Sequence, residues 1–245
     1  MEEFLSTWQG IALFVAFDIL AIFAVMIIAY RWLFKRVFDW LFSSLAILLL
    51  TPVWAVLFIW GGVAKSRQEV ETLFSAEAYI GKKGKTVYLH RFNRYNADGE
   101  IVGGYAKFLE SSKWHALARL FDVFAGKISF IGCTPMKPMD CAFLSDSEYD
   151  RHLAKPGLIN PLVKTGSEST DYEEMWESDK KYAFDFGLFK DLGIFFVWIV
   201  KQIRGEGNAH LGNTREKSYA KYLLDDERIT QSDYDEVTKT IELER

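Results

Sequence analysis

The chain has 245 residues, with 29 Lys and Arg against 33 Asp and Glu and a formal net charge of −4. That balance excludes the strongly basic surface on which nucleic-acid binding depends. Half of the residues are apolar, and the excess sits in the first 64, so a membrane end attached to one domain of ordinary size is expected. Cys133 and Cys141 fit no metal spacing and read as reduced thiols of a cytosolic domain. No internal repeat or low-complexity segment is present.

The first element is "IALFVAFDILAIFAVMIIAY", residues 11 to 30. At ~1.5 Å per residue it reaches ~30 Å, one bilayer core, and predicts a transmembrane helix. A cleaved signal peptide fits poorly: the start is acidic (Glu2, Glu3), the apolar run is long and no small-residue cleavage site follows. Arg31, Lys35 and Arg36 follow the span. By the positive-inside bias they place the N-terminus outside and the remainder in the cytoplasm. Asp18 lies within the span. Such a charge marks a function or a helix partner, or else a protonated or interfacial carboxyl.

A second apolar run, Val37 to Val63, has Lys35 and Arg36 before it and Lys65 and Arg67 after it, so both ends favour the cytoplasmic side. Pro52 interrupts it and leaves two halves of ~18–24 Å, each too short to span. The expected form is a re-entrant helix broken at Pro52; a second spanning helix is the alternative.

In the cytosolic part, "YIGKKGKTVYLHRF" predicts a β-hairpin turning at Gly81 to Gly84. Trp114, Leu117, Leu120, Phe121 and Phe124 follow helical spacing between Lys107 and Ala125. His115, Arg119 and Asp122 form the opposing polar stripe, with His115 expected to face solvent. Gly126 ends that helix, and "KISFIG" is a short buried strand. Ser145–Glu148 and Thr170–Glu173 read as capping boxes. "PGL" at 156 to 158 reads as a turn, and Phe186 to Ile203 as an aromatic helix. Its Phe189, Phe195, Phe196 and Trp198 fit either a membrane interface or plain core packing. The acidic end is a surface helix or tail. His90 and His152 suggest no pairing.

This order of elements resembles the bacterial sugar transferases, the monotopic polyprenyl-phosphate phosphoglycosyl transferases, from about Phe34 to Arg204. "FKRVFDWLFSSLAILLLTPVWAVLFI" is similar to the family's re-entrant helix, and "YIGKKGKTVYLHRFNRY" to its R-V-G-x-x-G-x-x-F-x-I-Y-K-F-R-T-M segment. "LARLFDVFAGKISFIGCTP" follows L-P-Q-L-W-N-V-L-x-G-D-M-S-L-V-G-P-R-P, and "PGL", Asp179, Tyr182 and "GLFKDLGIFF" continue in register. The residues and the resemblance together lead to an expected α+β fold: an N-terminal transmembrane helix (1–32) added to the matched region, the re-entrant helix (33–64), a mainly helical cytosolic domain with a small β-hairpin (65–220) and an acidic C-terminal helix or tail (221–245). It implies transfer of a sugar phosphate from a nucleotide sugar to a polyprenyl phosphate. The family uses an Asp nucleophile, a neighbouring Glu that helps hold Mg²⁺, and basic residues that grip phosphates.

In register, the Asp-Glu pair falls on His115 and Ala116. The basic residue five positions earlier falls on Glu110, a charge reversal expected to repel a diphosphate. Former phosphate contacts fall on Asn93, Thr134 and Ser167, Cys133 replaces a proline, and Tyr79 replaces the leading Arg. What survives is architectural: Gly81, Gly84, Phe92, Gly126, Ser129, Gly132, Pro135, Pro156, Gly157, Asp179, Tyr182 and Asp191. No intact catalytic residue and no metal site are expected. Loss of one such group commonly costs ~10²–10⁶ in rate, and groups acting as a unit fail together.

The leading expectation is therefore a non-catalytic subunit or regulator of surface-polysaccharide biosynthesis in the bacterial inner membrane, without a cofactor. Its expected partners are membrane lipid, with polyprenyl phosphate one candidate, and a membrane protein of glycan assembly or an active homologue. An active transferase with His115 as nucleophile and Mg²⁺ bound is a second reading, and a lipid-binding or structural membrane protein a third.

Overall fold

The computed structural model describes residues 7–164, 172–204 and 218–243. Helix α1 (Trp8–Ala29) is long and apolar enough to cross a membrane. The Thr7 side chain caps it by accepting from the Gly10 amide at 3.2 Å. Its apolar side chains point outward on all sides, and Asp18 is exposed among them. A widened π turn (Tyr30–Phe34) follows, and Tyr30 is buried there.

Helices α2 (Lys35–Leu49) and α3 (Thr51–Ser66) meet at 65°. The break falls at Leu50, and Pro52 sits in the first turn of α3, two residues later than the bend it causes. Proline lacks an N–H and its ring crowds the carbonyl four residues back. The carbonyls left over are used locally: Thr51 Oγ1 donates to Leu48 O at 2.6 Å and Trp54 Nε1 to Ile47 O at 3.1 Å.

Strands β1 (Phe74–Ile80) and β2 (Thr86–Phe92) form the expected antiparallel hairpin, with Ile80 opposite Thr86. Aromatic contacts fix the bent helix pair to the domain. Phe42 of α2 meets Phe130 at 6.0 Å and Phe195 at 5.4 Å, and Trp54 of α3 stacks on Phe92 at 6.0 Å.

The stretch read as one helix from Lys107 to Ala125 is three pieces. Helix α4 (Gly103–Ser112) stops at Lys113, which adopts the left-handed conformation (φ 60°). A 3₁₀ turn (Trp114–Ala118) and α5 (Arg119–Ala125) follow, and Gly126 caps α5 at φ 81°, a conformation glycine adopts without Cβ strain. Burial departs from expectation, although Leu120 is in the core. His115, Arg119 and Asp122 are buried, whereas Trp114, Phe121 and Phe124 are over a third exposed. The apolar face lies toward the bent pair, with Trp54 5.0 Å from Phe121 and Trp40 6.0 Å from Phe124. The polar face is turned inward because each of its groups finds a partner there.

Strand β3 (Ser129–Ile131) is buried as expected. The "PGL" segment is not a turn. Gly157–Ile159 forms β4, parallel to β3, with Ser129 opposite Gly157 and Ile131 opposite Ile159. The chains approach so closely that a Cβ on Gly132 would strike the Lys155 carbonyl, and one on Gly157 the Gly132 amide. Short helices α6 (Pro138–Cys141) and α7 (Asp146–Tyr149) come between β3 and β4. The Ser145–Glu148 capping box is present; Thr170 of the second box lies outside the described residues.

Helices α8 (Tyr172–Asp185) and α9 (Leu188–Ile203) close the core. On α9, Phe195 and Trp198 pack against the core while Phe189 and Phe196 stay exposed. Helix α10 (Tyr219–Asp225) buries Tyr219 beside Trp176, and α11 (Gln231–Leu243) is largely exposed. Cys133 and Cys141 are buried free thiols.

Candidate functional site

The 3₁₀ turn after α4 carries His115 into the interior, 3 % exposed, with Ala116 beside it at 2 %. His115 Nδ1 lies 3.2 Å from the Leu109 carbonyl, and Arg94 Nη1 lies 3.3 Å from Nε2. A neutral ring with its proton on Nδ1 donates to Leu109, while Arg94 Nη1 lies 3.3 Å from Nδ1 as well as from Nε2, beside the ring rather than in line with one lone pair. Burial and the Arg94 charge hold the imidazole down to about 4, so it is neutral near pH 7. His115 is thus not the solvent-facing residue its helical spacing implies.

Glu110 is already engaged. Arg94 Nη1 lies 2.6 Å from its Oε2 and Lys113 Nζ 2.9 Å from its Oε1. Burial raises its carboxyl, but the Lys113 hydrogen bond and the Arg94 charge outweigh that and keep it below the usual value. The acid at position 110 and the base at position 94 neutralise one another, so Glu110 does not stand as the bare repelling charge the sequence implies. Arg94, one residue after Asn93, escapes attention in the sequence because no motif position calls for a cation there.

A second cluster surrounds Tyr79. Its hydroxyl receives Arg119 Nη2 at 3.0 Å, receives Arg91, and donates to Glu77 at 2.9 Å. Burial raises the Glu77 carboxyl, but Arg91 and Lys137 prevail and hold it below its ordinary value. Asn93 is buried and spent on its own turn, donating to Thr72 Oγ1 and the Tyr95 carbonyl and accepting from the Tyr95 amide. His90 pairs with Asp122 at 2.7 Å. His152 lies 3.6 Å from Cys141, and burial with the neighbouring Arg151 lowers it to about 4.

Thr134 belongs to a separate buried group. Its amide donates to Asp179 at 2.9 Å, and its carbonyl accepts from Arg151 at 2.6 Å. Arg151 and Asp179 form an ion pair in which both side chains are inaccessible to solvent. Ser167 lies outside the described residues. Asp179 is thus a structural acid that fixes the turn after β3.

Tyr182 and Asp191 join a third group at the start of α2. Asp191 accepts from Tyr30 at 2.6 Å, Tyr182 at 2.7 Å and Lys35 at 2.5 Å. Lys35 also donates to the Ile131 carbonyl at 2.8 Å. Asp39, one turn on, accepts from Ser129 Oγ at 2.8 Å and the Phe130 amide at 2.9 Å. The Lys35–Asp39 spacing of one helical turn was the sequence signal for this clamp.

The donor set around position 116 does not fit a divalent cation. Ala116 offers a methyl group, Glu110 and Glu77 are held by cations, and among the described residues no group of three potential His, Cys, Asp or Glu ligands converges.

Residues 30–205 match the family model described as bacterial sugar transferase. The chain belongs to that family. It is 23 % identical over 184 residues to the uncharacterized sugar transferase EpsL of Bacillus subtilis (strain 168), an alignment covering 71 % of this chain and 89 % of the relative. It is 25 % identical over 193 residues to the UDP-glucose:undecaprenyl-phosphate glucose-1-phosphate transferase of Klebsiella pneumoniae, covering 69 % of this chain and 40 % of that protein. The match to the Klebsiella protein therefore spans less than half of its length.

Proposed function

We propose that this chain is a catalytically degenerate sugar transferase, acting as a non-catalytic membrane subunit or regulator in bacterial surface-polysaccharide assembly. One observation carries the reading: the positions of the family's nucleophile and metal ligand hold a neutral, buried His115 and a buried Ala116. Phosphoryl transfer needs an accessible in-line nucleophile and unspent cations for the developing charge. Here Arg94 is paired with Glu110 and Arg91 with Glu77, and Arg119 is buried against the Tyr79 hydroxyl. The burial of the ring, with Arg94 set against it, speaks against His115 as a phosphoryl acceptor.

The scaffold and the membrane attachment remain. Helix α1 spans the inner membrane with its N-terminus outside, and α2–α3 forms the re-entrant element, with the globular domain cytosolic. The 65° bend and the internally satisfied carbonyls at Ile47 and Leu48 support a break that tolerates lipid. The lipid partner is of the kind named for the Klebsiella relative, a polyprenyl phosphate held without turnover, and Asp18 on the exposed face of α1 is a candidate contact for a second membrane protein. Crosslinking in native membranes followed by purification should recover an active transferase or another glycan-assembly enzyme. Recovery of no such enzyme contradicts the subunit role.

A further inference from the structure

Apart from position 115, a cavity of about 190 Å³ opens where α2 joins the domain. Five of the side chains lining it are cationic (Arg31, Lys35, Arg36, Lys82 and Lys155) and one, Asp39, is a carboxylate. Lys35 is neutralised by Asp191 at 2.5 Å. Three of the others are held by neutral groups. Arg36 donates to the Val123 and Phe124 carbonyls at 2.8 and 2.7 Å, Lys155 to the Gly126 carbonyl at 2.7 Å, and Arg31 to the Ala183 carbonyl at 3.4 Å.

Carbonyls orient these cations without cancelling their charge. Lys82, on the hairpin turn, makes no ion pair among the described residues. The single carboxylate on the wall spends its oxygens on Ser129 and Phe130. Four cations therefore face one small cavity with one already hydrogen-bonded acid to balance them. Burial and the charges of Arg36 and Lys82 outweigh the Asp39 carboxylate and lower the Lys155 ammonium below its ordinary value, the direction expected where like charges outnumber the anion beside them.

We infer that this cavity binds a phosphate group, supplied by the headgroup of an anionic membrane lipid, at a site separate from the position of the family's nucleophile. The lipid source follows from where the cations sit. Arg31 comes two residues after the end of α1, and Lys35 and Arg36 open α2. If both apolar elements enter the bilayer, the cavity stands at headgroup depth, where lysines and arginines attract anionic lipid. That part rests on the membrane reading above; the phosphate site itself does not.

The test uses the full chain in a neutral detergent and native mass spectrometry with added phosphatidylglycerol, phosphatidylcholine or inorganic phosphate. The expected result is one phosphatidylglycerol retained in preference to phosphatidylcholine. Retention should fall at least ~10-fold in Lys82→Gln/Lys155→Gln, at about one Lys–headgroup attraction per residue, and recover in Lys82→Arg/Lys155→Arg. Lys82→Gln alone, which disturbs no hydrogen bond, should show part of the loss. Inorganic phosphate that binds and displaces the lipid at similar concentration supports the site and assigns it to free phosphate, against the membrane placement. Equal retention of both lipids with no phosphate bound, or a double variant that binds as the wild type does, overturns the proposal.

Discussion

Replacing His115 by Asn should remove a pH dependence that only a buried, neutral imidazole can supply. In the folded chain His115 titrates near 4, against an ordinary value of 6.5. Between those values the unfolded chain binds a proton that the folded chain refuses, so stability falls as the pH falls. A difference of that size corresponds to ~3 kcal/mol at full titration, of which about 2 kcal/mol is lost between pH 7 and pH 5. Asn at this position can keep the hydrogen bond to the Leu109 carbonyl through its amide and has no proton to gain. Other groups titrate in the same range, His152 in the same direction, so the informative quantity is the difference between proteins. Unfolding free energies of the detergent-solubilised protein, followed by tryptophan fluorescence, should fall ~2 kcal/mol further in wild type than in His115→Asn between pH 7 and pH 5. Parallel curves would mean that His115 titrates in the open, as an accessible nucleophile would, and the burial argument would fail.

Asp179→Ala should cost about 3–5 kcal/mol in the same assay, because it leaves the Arg151 guanidinium buried and uncompensated. The double change Arg151→Met/Asp179→Leu should recover much of that loss, and a double variant as weak as the single one contradicts the ion-pair account. Gly132→Ala should destabilise by ~1–3 kcal/mol or more, since its Cβ meets the backbone carbonyl of Lys155 rather than a side chain that can move aside. A melting temperature equal to wild type would refute the close approach of β3 and β4.

The parts of this fold that read well from the sequence are those set by local chemistry. The apolar run of α1, the proline break before α3, the glycine turn between β1 and β2 and the Ser145 capping box each depend on neighbours in the chain. What failed depends on tertiary partners. Helical spacing in Trp114–Phe124 correctly separates an apolar from a polar face, yet the polar face is buried along with Leu120 while Trp114, Phe121 and Phe124 stay over a third exposed. Arg119 and Asp122 find Tyr79 of β1 and His90 of β2 only once the hairpin folds beside them, and His115 reaches the Leu109 carbonyl only because the chain turns back at Lys113. The left-handed residue at Lys113 breaks a pattern that contains no glycine or proline at that point. "PGL" carries turn residues but becomes β4, because Gly157 is required by the close approach to Gly132.

The site was partly legible. Register with the family's motifs is what proposes positions 115 and 116 for the nucleophile and the metal ligand. The compensation is invisible without the fold: Arg94 answers Glu110, and Arg151 fixes Asp179 under Thr134. No motif links those residues, and each pair is at least 16 positions apart in the chain.

Transfer activity tests the central claim most directly. The full chain in native-like membrane discs would receive a panel of UDP-sugars, Mg²⁺ and undecaprenyl phosphate, with UMP release measured against an active family member. A non-catalytic chain gives no release above background, with the control active in the same discs. Metal-dependent UMP release that disappears in His115→Ala would contradict it and make His115 a working nucleophile.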